Sequence, residues 1–140
     1  MRVKVKLIEG GRMPEFKTGG AVCADCYARV ETPCVLFPYG RTLVPLGFAL
    51  GLRPGYEAVI RPRSGLSSKG IDVCIGSIDF DYRGEVKACV INNSSRSFEI
   101  ADGDRICQIA VRKVPAVEFE SVETLDDTER GESGFGSTGI

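Results

Sequence analysis

Short segments with the pattern of β-strands, separated by turn residues, run through most of this chain. Residues 3–7 and 105–111 alternate apolar and polar side chains with a period of two, as strands with one buried face do. Further short apolar runs occupy residues 34–37, 42–50, 57–60, 85–91 and 117–122. Glycine, proline, asparagine and aspartate lie between them, and no window has a sustained apolar face at the helical period. The pattern predicts an all-β sandwich or barrel with strands in these runs and at most one short helix, at residues 65–69.

Length and charge narrow the class of protein. The 140 residues suffice for one domain, which at this size buries roughly two-thirds of its unfolded surface without a metal or disulfide. The 18 basic and 19 acidic residues leave a net charge of −1, which argues against broad binding to nucleic acid or to an anionic membrane. The N-terminus has no apolar export segment, and no run approaches the ~20 apolar residues of a membrane span. We therefore expect a cytoplasmic protein.

The stretch AVCADCYA, residues 21–28, contains a CxxC motif with Asp25 between its cysteines. Such a motif can bind zinc, form a redox disulfide or simply pack. In an extended strand Cys23 and Cys26 would face opposite sides of the sheet. A zinc site would also need two more ligands, whereas the chain has no second CxxC and no histidine. We predict that both cysteines pack, and that the other four are small buried apolar groups: Cys34, Cys74, Cys89 and Cys107.

The C-terminal segment 126–140, DDTERGESGFGSTGI, differs in character from the rest of the chain. Four glycines and several polar residues surround a single aromatic residue, so the segment cannot build a core and is predicted to be mobile. Its glycine spacing resembles a Walker A loop but lacks the lysine, which argues against a P-loop ATPase. Glycines nevertheless leave backbone N–H groups free to surround a phosphate.

Five stretches, each weak alone, occur in a fixed order along the chain. They are AVCADCYA at 21–28, PRSGL at 62–66, IDVCIGSIDFDYRGEV at 71–86, GDRICQI at 103–109 and RGESGFGSTG at 130–139. Together they closely resemble the five motifs of the trimeric dUTPase family, and the third and fifth are the most specific. The resemblance covers most of the chain.

This resemblance implies an activity and an assembly. The expected reaction is hydrolysis of dUTP to dUMP and pyrophosphate with Mg²⁺ as cofactor, which keeps uracil out of DNA and supplies dUMP for dTMP synthesis. The implied fold is a jelly-roll-like distorted β-barrel at residues 1–125, followed by a flexible arm at 126–140 that closes the active site. The implied assembly is a homotrimer with active sites between subunits, and neither nucleic acid nor membrane is an expected partner.

The resemblance also implies a role for each matched residue. Asp79 would orient and deprotonate the attacking water, and Asp25 would bind waters of the Mg²⁺ shell. Without the resemblance, both aspartates could equally be turn residues. The positions implied to bind substrate are Arg63, Ser64, Gly65, Val73, Gly76, Ile78, Tyr82, Gln108, Arg130, Phe135, Gly136, Ser137 and Thr138.

Substrate specificity would come from a hairpin at residues 73–79 that receives uracil. Its backbone N–H and C=O groups would match uracil and reject cytosine. Tyr82 would pack under the deoxyribose and exclude a 2′-hydroxyl, although a half-buried strand aromatic is an equally consistent interpretation. Phe135 would stack on the base. Cys74 and Ser133 depart from the family pattern, which usually has glycine at both positions.

Two alternative functions remain open at this point. A dCTP deaminase has a related fold, but it would not be expected to carry the RGxxGFGST ending. A nucleotide-sensing module that binds dUTP to control a partner belongs to another class of protein, and the match to Asp79, Tyr82 and the C-terminal motif favours an enzyme over it. Release of pyrophosphate from dUTP, compared with release of ammonia from dCTP, would distinguish these functions.

Overall fold

A computed structural model describes residues 1–134 of the chain, and β-strands account for nearly all of its regular secondary structure. Within those residues the strands are β1 (Lys4–Leu7), β2 (Ala24–Tyr27), β3 (Cys34–Leu36), β4 (Arg41–Pro45), β5 (Phe48–Gly51), β6 (Tyr56–Arg61), β7 (Ile71–Val73), β8 (Gly76–Ile78), β9 (Lys87–Asn92), β10 (Phe98–Ile100) and β11 (Arg105–Lys113). One short helix, α1 (Ser64–Ser67), lies between β6 and β7. The prediction of an all-β fold with at most one short helix is confirmed.

The strands pair in antiparallel fashion in four sheets. A four-stranded sheet has the order β2-β11-β6-β8, and a three-stranded sheet has the order β4-β9-β7. Two further pairs, β1-β5 and β10-β3, complete the described part of the fold. The longest strand, β11, lies inside the four-stranded sheet although it is the last in the sequence, so this sheet joins segments that are far apart along the chain.

The core lies between these sheets. It is built from inward-facing side chains, which alternate with more exposed ones along a strand. In β9, for example, Ala88, Val90 and Asn92 are buried while the intervening residues are partly exposed. Phe48 and Ile100 are among the largest fully buried side chains. The buried amide of Asn92 donates to the carbonyl oxygens of Leu36 and Arg96, at 3.1 and 2.7 Å, so it is not left unsatisfied.

Three sequence predictions need correction. The run at 117–122 forms no strand, because no described segment of the same chain pairs with it, and Phe119 is 96% exposed. The run at 42–50 contains parts of two strands, since Gly47 adopts a φ of 75° and turns the chain between β4 and β5. The short helix spans Ser64–Ser67 and thus begins one residue earlier than expected. Within the described residues, no helix is long enough to span a membrane.

The cysteine prediction is correct for some positions and wrong for one. Cys26 and Cys107 are fully buried in the core, where they pack as small apolar groups. Cys23, Cys34 and Cys89 are half-buried. Cys74 is exposed, because it follows the end of β7 in a link between two sheets and is not inside a strand.

Candidate functional site

Asp25 lies at the centre of a charged cluster on the four-stranded sheet. Its side chain is only 5% exposed. Oδ1 accepts a hydrogen bond from Nε2 of Gln108 at 3.0 Å, and Oδ2 accepts one from Arg105 at 3.0 Å. Nε of Arg63 forms an ion pair with Oδ1 at 3.5 Å. We call Asp25, Arg63, Arg105 and Gln108 the Asp25 cluster. It joins three predicted site residues from different motifs with Arg105, which was not predicted.

A bulge in β11 explains why Arg105 and Gln108 reach the same carboxylate. Gln108 is directly opposite Asp25 on β2, and Arg105 is opposite Tyr27. In a regular strand, residues three apart face opposite sides of the sheet. The register shift between Arg105 and Cys107 inserts one extra residue in β11, so both side chains face Asp25.

The electrostatics of the cluster keep Asp25 ionised. Burial by itself would raise the pKa of this carboxyl group. Hydrogen bonds from Gln108 and Arg105, together with the positive charges of Arg63 and Arg105, outweigh burial, and the pKa lies below its usual value. The cluster can therefore present a stable carboxylate to cations and guanidinium groups to anions.

Arg63 is held in place by the start of α1. Its guanidinium donates to the carbonyl oxygen of Arg105 at 2.6 Å, and its own carbonyl accepts from the N–H groups of Leu66 and Ser67. Ser64 and Gly65 form the exposed first turn of the helix beside it. The predicted phosphate-binding residues of the second motif are thus next to the Asp25 cluster.

The second candidate region is a pocket of about 310 Å³ beside Asp79, which we call the Asp79 pocket. It is lined by Ser77, Ile78, Asp79, Tyr82, Glu85, Val86 and Lys87. Asp79 is exposed, and within residues 1–134 its carboxylate accepts no hydrogen bond. The turn here is closed by its backbone carbonyl, which accepts from the N–H of Tyr82 at 3.2 Å. The side chain of Asp79 is therefore not used as a turn cap and can face a ligand.

The predicted hairpin at 73–79 is a link between two sheets. β7 pairs with β9, whereas β8 pairs with β6, so the two strands belong to different sheets. β8 is an edge strand of its sheet, and its outer backbone groups have no strand partner among the described residues. A Cβ at Gly76 would meet no atom within 4 Å, which leaves open space next to that backbone. The segment can therefore offer backbone donors and acceptors to a planar base.

The ring of Tyr82 lies against Gly84, and Tyr82 is not part of a strand. Its hydroxyl donates to the carbonyl of Glu85 at 3.1 Å, and the side chain remains 46% exposed. A Cβ on Gly84 would lie 2.3 Å from the Tyr82 hydroxyl oxygen and 2.5 Å from Cζ. Only glycine at 84 allows the ring to lie in this position. Tyr82 lies between β8 and β9 and in no strand, so the interpretation of it as a half-buried strand aromatic is wrong.

Glu85 attaches this region to the rest of the fold. Its carboxylate accepts two hydrogen bonds from Arg29, at 3.0 and 3.2 Å, and a third from the backbone N–H of Gly47 at 3.0 Å. Neither Glu85 nor Gly84 is among the site residues predicted from the sequence. Their adjacency to Tyr82 in the third motif was the available indication. The partners of Glu85, Arg29 and Gly47, lie in distant segments that no local pattern contains, and the role of Gly84 depends on where the Tyr82 ring lies.

The Asp25 cluster and the Asp79 pocket are well separated in one chain. Asp25 aligns across β11 with Arg61 of β6, while Ile78 aligns with Ala58 of β6. Asp79 follows Ile78, so its position along β6 is four residues from that of Asp25. Three strand spacings of about 4.8 Å and four residues of about 3.3 Å then give roughly 20 Å between Asp25 and Asp79 on a flat sheet. No hydrogen bond or ion pair within residues 1–134 connects them.

The predicted residues of the C-terminal motif divide into two groups. Arg130 is exposed, and its Nε donates to the carbonyl of Ser133 at 2.9 Å within the same segment. Phe135, Gly136, Ser137 and Thr138 lie outside the described residues. Among the described residues there is no group of three or more acidic or cysteine side chains that could hold a metal ion directly.

Comparison with known proteins identifies close relatives. A family model described as dUTPase matches residues 11–139. A deoxyuridine 5'-triphosphate nucleotidohydrolase from Finegoldia magna is 45% identical over 142 residues, which cover 99% of this chain and 99% of the relative. The solved Staphylococcus bacteriophage 80alpha dUTPase with dUPNHPP has a TM-score of 0.91 at 26% identity, with 99% of each chain covered. A mutant dUTPase from phage phi11 of S. aureus, described with a structural Mg(II) ion, shares the fold with a TM-score of 0.83 at 22% identity, covering 91% of this chain and 100% of that one.

Proposed function

Since this chain belongs to the dUTPase family and is a dUTP diphosphatase, we propose that the Asp79 pocket and the Asp25 cluster act together on one dUTP molecule. The observation that carries this proposal is the exposed Asp79 carboxylate, without a hydrogen-bond donor in residues 1–134, beside a pocket formed by an edge strand and Tyr82. A catalytic base needs such a free acceptor, whereas the carboxylate of Asp25 is already paired.

The reaction is an attack of water on the α-phosphorus. The Asp79 carboxylate accepts a proton from the water as its oxygen bonds to phosphorus, and the bond to the bridging oxygen breaks to release pyrophosphate. A carboxylate with a reference pKa of about 3.9 is a weak base towards water, so its position contributes more than its basicity. The exposed position of Asp79 at the mouth of the pocket suits this role.

Recognition of the base uses the backbone of the 73–79 segment. Gly76 and Ile78 lie in β8, whose outer edge offers N–H and C=O groups to the base. Val73 ends β7 beside this segment, and its own N–H donates to Oδ1 of Asp72 at 2.9 Å. A base with reversed donor and acceptor positions leaves the groups of β8 unpaired. Sites built on such hydrogen bonds reject mismatched substrates by roughly 10⁴–10⁵. Tyr82 packs under the deoxyribose and disfavours a 2′-hydroxyl. These contacts select dUTP over dCTP and UTP.

The Asp25 cluster suits a hydrated Mg²⁺ and the phosphate chain. A single buried carboxylate with both oxygens already engaged cannot replace several metal ligands, but it can accept hydrogen bonds from water molecules on the metal. Bound Mg²⁺ supplies positive charge against the triphosphate oxygens. Arg63, Ser64, Gly65 and Gln108 hold those oxygens. The charge-stabilised carboxylate of Asp25 is the feature of the cluster that fits the ion.

The distance between the Asp79 pocket and the Asp25 cluster within one chain supports a site shared between subunits. Asp79 and Asp25 are roughly 20 Å apart by strand geometry, yet both carboxylates must act on a single triphosphate. A homotrimer in which the Asp79 pocket of one chain faces the Asp25 cluster of another brings them together. By the resemblance of the fifth motif, we further propose that residues 126–140 act as an arm beyond the domain at 1–125, and that Arg130, Phe135, Gly136, Ser137 and Thr138 serve to close the site.

The cellular role follows from the chemistry. Removal of dUTP keeps uracil out of DNA, and the dUMP produced supplies dTMP synthesis. We place this activity in the cytoplasm. Pyrophosphate release from dUTP, measured beside ammonia release from dCTP, tests the reaction. Ammonia without pyrophosphate would indicate a deaminase and overturn the proposal.

The shared site is tested by mixing two inactive proteins. Chains lacking residues 126–140 and chains with Asp79→Asn are each expected to form folded trimers with little activity. After unfolding and refolding together, they should regain activity, because some sites combine an intact Asp79 with an intact arm from another chain. Mixed trimers verified by mass but still inactive would show that each arm serves the Asp79 of its own chain.

A further inference from the structure

Two pairs of cysteines that are far apart in the sequence lie opposite each other in the sheets, one pair within two strands and the other with one cysteine just past the end of its strand. Cys107 of β11 is the register partner of Cys26 of β2. On the other sheet, Val73 of β7 pairs with Val90 of β9, and the next step of this register places Cys74 opposite Cys89. The N–H of Cys74 donates to the carbonyl of Cys89 at 2.9 Å, so the pairing continues past the end of β7.

The second pair has the spacing that a disulfide requires. Directly opposite residues of antiparallel strands have Cα atoms about 4.5–5.5 Å apart, within the range of about 4.4–6.8 Å that disulfides span. Opposite residues also point to the same face of a sheet. Here that face is the outer one, because Ala88 and Val90 on either side of Cys89 are buried.

The surroundings of the pair differ from those of Cys26 and Cys107. Cys74 is exposed and Cys89 is half-buried, whereas Cys26 and Cys107 have no exposed surface. Partial burial and the neighbouring Cys74 thiol raise the pKa of Cys89, while the positive charge of Arg41 acts in the opposite direction. For Cys26, the neighbouring Cys107 thiol and burial raise the pKa strongly. Solvent and small reagents therefore reach only the pair on the outer face.

We propose that Cys74 and Cys89 form a thiol–disulfide exchange site, which reacts with low-molecular-weight disulfides such as oxidised glutathione and closes an intramolecular disulfide. The Cys74 thiolate attacks one sulfur of the external disulfide, whose S–S bond breaks to release one thiolate. The Cys89 thiolate then attacks Sγ of Cys74 and displaces the second thiolate. Two cysteine thiols become one disulfide, the reagent is reduced to two thiols, and the two cysteine protons pass to the leaving thiolates.

Closure of this bond acts on the segment that receives the base, a consequence that rests on the proposed function. Cys74 is two residues from Gly76 in the link between β7 and β8. A disulfide brings the two Cβ atoms to about 3.8 Å, closer than the roughly 4.5–5.5 Å of an unlinked cross-strand pair. The backbone of residues 73–76 must shift to allow it. The oxidised protein therefore binds dUTP more weakly than the reduced protein.

The chemical test uses the purified, reduced protein under native conditions. After incubation with oxidised glutathione, peptide mass mapping should find Cys74 linked to Cys89 and Cys26 and Cys107 still reduced. In Cys89→Ser the second step is blocked, so one glutathione should remain attached to Cys74. Cys34→Ser, which removes another half-buried cysteine, should form the Cys74–Cys89 bond as wild type does. No such bond, equal oxidation of Cys26 and Cys107, or no glutathione trapped in Cys89→Ser would overturn the exchange site.

The functional test compares dUTP kinetics of reduced and oxidised protein. We expect KM for dUTP to rise by roughly tenfold on oxidation, about 1.4 kcal/mol, and to return to its original value with dithiothreitol. Cys89→Ser without glutathione should keep the KM of reduced wild type. An unchanged KM in protein shown to be fully oxidised would refute the effect on base binding. Absence of dUTP turnover in the reduced protein would instead refute the proposed function, and the peptide mapping would still decide the exchange site.

Discussion

Replacing Gly84 with alanine should weaken the discrimination between dUTP and UTP without unfolding the protein. The added Cβ would lie 2.3 Å from the Tyr82 hydroxyl oxygen, whereas ordinary contact begins at 3.4 Å, so the end of the ring must move by about 1.1 Å. The contact is with the far end of one exposed side chain, and the core is not involved. The displacement also strains the hydrogen bond from this hydroxyl to the carbonyl of Glu85.

The size of the effect follows from this displacement. A misplacement of about 1 Å in an active site can cost about 10²-fold in rate. Because the shifted ring no longer packs under the deoxyribose, we expect kcat/KM for dUTP to fall by about tenfold to 100-fold. The value for UTP should fall less, so the ratio of the two decreases. Both values come from pyrophosphate release at matched substrate concentrations, and thermal unfolding checks that Gly84→Ala remains folded.

Two comparisons show whether Gly84 acts through Tyr82. In Gly19→Ala the new Cβ meets nothing within 4 Å, so this matched glycine change should leave the dUTP/UTP ratio unaltered. In a double-mutant cycle, Gly84→Ala should add little once Tyr82→Ala has removed the ring. An unchanged ratio in Gly84→Ala, or fully additive effects with Tyr82→Ala, would refute the role assigned to this glycine.

Three shorter predictions concern the carboxylates and the metal. Asp79→Asn should bind dUTP but lose most turnover, because the shape is kept while the proton acceptor is lost; turnover within tenfold of wild type, about 1.4 kcal/mol in the barrier, would mean that another group activates the water. The pKa of Asp25 is lowered in the folded state, so its contribution to stability is present above its unfolded pKa of about 3.9 and is lost as pH falls through the folded value. Denaturant midpoints of wild type and Asp25→Asn should therefore converge below about pH 4, and a constant difference down to pH 2 would contradict this assignment. Removal of divalent cations with EDTA should stop dUTP turnover until Mg²⁺ is restored, and full activity in EDTA would exclude the proposed metal.

Local sequence patterns were sufficient for most strands but not for their pairing. The alternation at 105–111 predicts β11, and the apolar run at 57–60 predicts β6. Nothing in either segment indicates that they are neighbours or that β2 lies on the other side of β11. The run at 117–122 has a similar apolar composition, yet it has no strand partner in residues 1–134. Strand formation depends on a neighbour that the local sequence does not contain.

The site was predicted from motifs, and its geometry was not. The positions of Asp25, Arg63 and Gln108 in three separate motifs suggested a shared role, and the fold brings them together. Arg105 was not selected, because residues 105 and 108 would face opposite sides of a regular strand, and a bulge is not visible in the alternation pattern. Gly84 was not selected because its role depends on the exact position of a neighbouring ring.

The central position of β11 has a consequence for how the chain folds during synthesis. β2 and β6 both pair with β11, whose residues are made last among the strands. Until then both strands have an unpaired edge, and such edges are sites of aggregation in nascent or truncated chains. Pairing between segments so distant in sequence also slows folding. A chain that terminates before residue 105 cannot complete this sheet, so we expect truncated products to accumulate as insoluble or degraded material.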